Sequence, residues 1–364
     1  MAKKIFIAAT MQNDGKTTVS LGLIFNFKER FKDIGFIKPI GQRYLEENGQ
    51  KVDEDSVLIE DVCGIKCGIK DMSPIAVERG FTERYILKPN KKNIDTQIDE
   101  SFRRISKSKD LVVIEGTGHA GVGSVFDHSN AYVAKFLGAK VILVSSGGIG
   151  RPIDEIMLNK ALFEKEGVKL IGVIINKVKQ DKFSKVKKIV KKGLHRLGVN
   201  LLGVMPYQPR LTYPTMRQVQ EETNFKIFSG DGCLDNYIAK IVIGAMEPHD
   251  ALNYISENSL LITPGDREDL IMTALGLHIS KAKVCPTQIA GIILTGGFLP
   301  HPEVIKVMKS TNIPILLTEK DTYATASLIH DLTIKIRPQD TDKIETIKNM
   351  VRDYVAIDEI LRLI

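Results

Sequence analysis

The stretch ATMQNDGKTT, residues 9 to 18, decides how the first half of this chain is read. It closes on Gly15, Lys16 and Thr17, the ending of a phosphate-binding loop. Such a loop points backbone N–H groups and a helix N-terminus at phosphate oxygens. The usual G-x-x-x-x-G-K-T has a glycine five places before Gly15, where this chain has Thr10; Ala9 stands one place earlier. The context fits a working loop. IFIAAT reads as a short buried strand, and residues 17–31, TTVSLGLIFNFKERF, have helical periodicity. A GKT between a first strand and a first helix predicts a nucleotide site over Asn13, Asp14, Gly15, Lys16, Thr17 and Thr18, rather than a structural turn.

Outward from that loop, strands and helices alternate. IGFIKPI, DLVVIEG (110–116), AKVILVSSGG (139–148), KLIGVIINKV (169–178) and LLGVMPY (201–207) read as further short strands, with helical segments between them. This predicts an α/β fold of the P-loop NTPase type, a parallel sheet with helices on both faces. Ligands in such sheets bind at the carboxyl ends of the strands. The rhythm changes near Pro206, where MPYQPRLTYPT holds three prolines. The expected domains are therefore 1–206, a second and smaller α/β domain over 207–335, and a helical segment over 336–364. IAKIVIGAM, SLLITPGDRED, QIAGIILTGG and IPILLTE supply the strands of the second domain.

Composition agrees with a globular protein: 43% apolar and 26% charged over 364 residues. No apolar run is long enough to cross a membrane, and MAKKIFIAAT lacks a cleavage site, so the expected place is the cytoplasm, without a membrane partner. The net charge is +7, and eight lysines with one arginine fall between Lys177 and Arg196. Phe183, Val186, Ile189, Val190, Leu194 and Leu197 recur there at helical spacing, which makes the lysines the solvated face of a helix. The one aromatic among them, Phe183, belongs to the apolar stripe, and no known nucleic-acid module is present, so no nucleic-acid partner is expected. Cys63, Cys67, Cys233 and Cys285 are scattered and read as thiols in a reducing compartment.

Four strand-end or helix-start residues add chemistry to the loop. Lys38 follows the second strand and either reaches an outer phosphate or an anionic substrate, or is a surface lysine. Glu115 ends LVVIE, where a carboxylate holds Mg²⁺ or its water. Asp55, in VDEDSVL, is either a further metal-side carboxylate or a helix-surface acid. Asn176, ending LIGVIIN, offers a donor and an acceptor to a base edge.

With these stretches in place, residues 1–206 resemble the dethiobiotin synthetase family of P-loop ligases, which includes the cobyrinic acid a,c-diamide synthases. The version at the N-terminus of long bacterial phosphotransacetylases is the most similar. The family's loop is one residue longer, G-x-x-x-x-x-G-K-T, and puts its first glycine at Ala9. FIKPIGQ, VVIEGTGH and GVIINKV match as well. The resemblance implies ATP and Mg²⁺ as cofactors. It implies Thr17, Asp55 and Glu115 as metal-side groups, Lys16, Lys38 and Glu115 as catalytic residues, and Asn176 as the reader of adenine. Its chemistry is phosphorylation of a carboxylate-like oxygen of a small anionic substrate.

Residues 212–335 resemble the DRTGG domain, on ITPGDREDLI and IILTGG. Its naming residues are Asp266, Arg267, Thr295, Gly296 and Gly297. The resemblance implies regulation by an adenine-nucleotide effector and association in pairs, hence a homo-oligomer. Arg267 pairs either with a phosphate or with Asp269. The TGG segment either turns its N–H groups toward an anion or is a plain turn, and Asp266 caps a helix in the plain reading. The acyl-transferring domain of phosphotransacetylases is not expected before Ile364. Two functions remain open: an ATP-dependent ligase or ATPase, and a nucleotide sensor acting through a partner or oligomer.

Overall fold

The computed structural model describes residues 2–47, 49–279, 289–332 and 334–364. Cys285 lies outside them. The chain divides into two compact units, Met1–Tyr207 with Ile336–Ile364, and Gln208–Lys335.

The first unit is built on a six-stranded sheet. Its strands are β1 (Lys3–Ala9), β2 (Ile34–Ile37), β3 (Leu111–Glu115), β4 (Lys140–Ser146), β5 (Leu170–Val178) and β6 (Leu201–Pro206). The order is β6-β5-β4-β1-β3-β2, and every pair is parallel. Successive residues on a strand point to opposite faces. Ile5 and Phe6 are both fully buried, so both faces of β1 are covered. That is why these strands read as continuous apolar runs rather than alternating ones.

The path of the chain places the site. After β1 it crosses to the edge at β2, returns to β3 beside β1, then moves to β4 on the other flank. The direction reverses at β1, and a crevice opens at the carboxyl ends there. Ile7 pairs with Glu115 and Ala9 with Val144, so Glu115 and Ser145 flank the loop that leaves β1. A short hairpin, Tyr44–Glu47 with Gln50–Asp53, leads into α2 (Glu54–Cys63), and the sequence pattern had not indicated it.

The loop enters α1 (Lys16–Phe27), shorter than the expected 17–31. Against α1 packs the helix Thr341–Tyr354; a Cβ on Gly22 would lie 2.3 Å from Cγ2 of Val351. Val355 bridges Gly203 of β6, and Ala356 N donates to Leu202 O at 2.8 Å. The C-terminal helices are thus part of the first unit rather than a segment apart. Their buried Ile347, Val351 and Ile360 need an apolar surface, and α1 with β6 provides it. On helix Phe183–Arg196, Val186, Val190 and Leu194 are buried while Ile189 is 39% exposed.

The second unit has a five-stranded sheet of β7 (Lys226–Ser229), β8 (Lys240–Ile243), β9 (Ser259–Pro264), β10 (Ile289–Thr295) and β11 (Ile315–Leu317). The order is β7-β11-β10-β9-β8, parallel except for the β7–β11 pair. Leu260, Ile262 and Ile293 pack into one core, Leu261, Ile292 and Leu294 into another, so this sheet is also covered on both faces. Cys63 and Cys67 are free, and burial pushes the Cys63 thiol up to about 12.

Candidate nucleotide site

Ala9 is the last residue of β1 and is not in a left-handed conformation. Alanine at the glycine position therefore carries no backbone strain. The left-handed positions of the loop are Asn13 (φ 63°) and Gly15 (φ 97°). The loop is braced from within. Met11 N donates to Asp14 Oδ2 at 2.7 Å, and Thr10 Oγ1 lies 2.8 Å from the same oxygen and 3.0 Å from Ser145 Oγ. Asp14 is turned into the base of the loop, and burial raises its pKa.

A second brace comes from β5. Asn176 Nδ2 donates to Asp14 O at 2.9 Å, and its Oδ1 accepts from Lys177 N at 2.8 Å. Lys177 Nζ donates to Asn13 O at 2.5 Å. Gly15 then forms the N-cap of α1, with no side-chain cap and no acidic residue in the first turn. The positive end of the helix stays open to an anion.

Beside this opening the strand ends bring charges together. Thr17 Oγ1 donates to Glu115 Oε1 at 3.0 Å. Glu115 is fully buried; the Ser20 hydroxyl stands near its carboxylate, but neither that hydroxyl nor Glu115 Oε2 has a partner in hydrogen-bond geometry among the described residues. Burial, and next the Asp55 carboxylate, raise the Glu115 pKa. Lys38 is buried, with Nζ 2.8 Å from Asp53 Oδ1 and in an ion pair with Asp55. Burial works to lower its pKa, but Asp55 and Asp53 outweigh it and hold the ammonium above its usual range. Lys16 is shifted the other way by burial, with Glu115 opposing.

Lys16, Thr17, Lys38, Asp55 and Glu115 therefore form one cluster at the carboxyl ends of β1, β2 and β3. Asp53 belongs to it too, and the sequence reading had passed over it. The signal was there: an acid two places before Asp55, at a helix start, is a good N-cap. Its side chain does accept from Asp55 N, at 2.9 Å.

Among the described residues no group of three or more His, Cys, Asp or Glu could hold a metal by itself. Mg²⁺ takes one or two carboxylates and completes its shell with phosphate and water. The unpartnered Glu115 oxygen beside the Thr17 hydroxyl fits that demand.

In the second unit Asp266, Arg267, Thr295, Gly296 and Gly297 meet at the carboxyl ends of β9 and β10. Arg267 forks onto Asp269 at 2.9 and 2.8 Å and donates to Met246 O at 2.9 Å. Gly296 N donates to Lys320 O at 2.8 Å and Gly297 N to Thr318 O at 3.0 Å. The two N–H groups are thus spent inside the fold, as a turn spends them, and do not face an anion. The carboxylate of Glu319 stands against Gly297. The helix begins at Glu268, so Arg267 rather than Asp266 occupies the N-cap position.

The family profile described as AAA domain (AAA_26) matches residues 3–215, and that described as DRTGG domain matches 218–332. A phosphate acetyltransferase of Nitratidesulfovibrio vulgaris is 26% identical over 370 residues, covering 99% of this chain and 51% of its own length. One of Pseudomonas putida is 27% identical over 366 residues, covering 96% and 50%. The chain spans about half the length of these curated relatives. Among solved structures, the MinC:MinD cell division protein complex of Aquifex aeolicus is 18% identical, covering 58% of this chain and 84% of that one, with a TM-score of 0.38. The CBS and DRTGG domains of Clostridium perfringens pyrophosphatase, complexed with diadenosine tetraphosphate, are 15% identical, covering 45% and 83%, with a TM-score of 0.27.

Proposed function

Since the chain belongs to the AAA_26 family, a P-loop AAA domain joined here to a DRTGG domain, we propose that it binds ATP with Mg²⁺ and transfers or hydrolyses the outer phosphate. The observation that carries this is the Thr17–Glu115 pair: one carboxylate oxygen 3.0 Å from the hydroxyl, the other buried and unpartnered. In this reading the loop from Asn13 to Thr18 wraps the phosphates with backbone N–H groups, and Lys16 neutralises the outer ones. Thr17, Asp55 and Glu115 hold Mg²⁺, which when bound offsets phosphate charge. Lys38 orients the anionic oxygen of the acceptor, a small carboxylate-type substrate. Asn176 braces the loop through Asp14, and its remaining N–H and lone pair are what a base edge would meet. Catalysis is then positioning and charge neutralisation.

The DRTGG domain tunes this site through an adenine-nucleotide effector, and the chain acts in the cytoplasm as a homo-oligomer. Among the described residues no helix is long and apolar enough to cross a membrane. A monomeric mass by light scattering at micromolar concentration would remove the oligomer. A second reading, a nucleotide sensor with slow hydrolysis, is favoured by Lys38 being already held by two carboxylates. Phosphate release in the presence of small carboxylates, compared between wild type and Lys38→Ala, separates the two. An enzyme loses turnover and keeps ATP. A sensor changes little.

A further inference from the structure

We propose that Lys38 and a divalent cation are alternative partners of Asp55, and that Asp53 is the positioning residue that keeps Lys38 when Asp55 turns to the cation. This rests on the nucleotide-site reading above. The Lys38 ammonium lies between two carboxylates, Asp53 Oδ1 at 2.8 Å and Asp55, in a cluster that Glu115 completes. All four residues are buried, at 6, 1, 7 and 0% exposure for Lys38, Asp53, Asp55 and Glu115. A carboxylate that stays ionised in such a place needs a cation or hydrogen-bond donors beside it. Asp55 is shared between Lys38 and the side of the site where Glu115 and Thr17 stand; it acts on Glu115 and on Lys16 as well as on Lys38.

Asp53 is fixed in place by its surroundings. Asp53 N donates to Ser73 Oγ at 2.9 Å, its side chain caps α2 through Asp55 N, and Gly41 closes on it so tightly that a Cβ there would lie 2.6 Å from Asp53 Oδ2. It is walled in and faces Lys38. Asp55 sits in the first turn of α2. A lysine ammonium on a flexible stem can let one carboxylate go and keep the other. Lys38 N is fixed to Met72 O at 2.8 Å, so only the side chain need move. Asp53 then serves the metal through Lys38, not by contact.

The test is Mn²⁺ alone, without nucleotide, titrated into the full chain with free Mn²⁺ read by electron paramagnetic resonance. Lys38→Met should bind Mn²⁺ about tenfold tighter, and Asp53→Asn about tenfold weaker, each worth ~1.4 kcal/mol. In the Lys38→Met background, Asp53→Asn should change little, because its partner is gone. A general effect of charge would instead weaken Mn²⁺ equally in both backgrounds. Additive effects, a shift of both single variants in one direction, or no Mn²⁺ binding by any of the proteins overturns the proposal. Should Lys38→Met fail to fold, Asp53→Asn against wild type still decides: unchanged or tighter binding overturns it. A separate titration of ADP in chelator judges the nucleotide reading, so loss of one does not imply loss of the other.

Discussion

Gly15 leaves no room for a side chain against Asn176: a Cβ on Gly15 would lie 2.2 Å from Asn176 Nδ2. Its φ of 97° is also one that side chains rarely adopt. Gly15→Ala should therefore strain the loop by about 1–3 kcal/mol and push Asn176 off Asp14 O. ATP affinity should fall about tenfold or more. The opposite control is Ala9→Gly, which should leave affinity within about twofold, since position 9 has no left-handed strain to relieve. Equal losses in the two variants would mean the loop is not held as described.

Burial raises the Asp14 carboxyl above its ordinary 3.8. The folded chain then keeps this proton to a higher pH than the unfolded chain does. Stability must fall as pH rises from the unfolded value through the folded one. Asp14→Asn removes that slope and leaves a constant offset from the altered bonds to Thr10 and Met11. Denaturation midpoints measured upward from about pH 4 should move in favour of the variant relative to wild type. A difference that is flat, or that runs the other way, contradicts the burial of an ionisable group there.

The contact between Gly22 and Val351 fixes the C-terminal helix on α1. Gly22→Ala overpacks it and should cost about 1–3 kcal/mol. Adding Val351→Ala makes space, so the double variant should lose less than the sum of the two. Urea unfolding of the three variants measures this. Strict additivity would show that the helix does not pack on Gly22 in solution.

Much of this architecture was legible in the sequence, because fully buried parallel strands announce themselves as apolar runs. The runs at 111–115, 140–146 and 170–178 lie within the segments predicted for them. So was the cluster around Lys16, since a parallel sheet puts strand ends together. What stayed hidden depends on where polar atoms turn. GKT says nothing of Asp14 folding back on Thr10, nor does LTGG reveal that Gly296 and Gly297 spend their N–H groups on Lys320 and Thr318. Asp53 was obscured by Asp55, since an acid pair at a helix start reads equally as a cap. The docking of residues 341–364 on α1 joins positions more than three hundred residues apart, and no local pattern carries that.

The central claim is that the loop at residues 9–18 is a working ATP site. Calorimetric titration of ATP with Mg²⁺ into wild type and Lys16→Ala, with stoichiometry recorded, tests it most directly. The account predicts one site in wild type that disappears in Lys16→Ala. Binding that persists unchanged in the variant would contradict it and would move the nucleotide away from the P-loop domain.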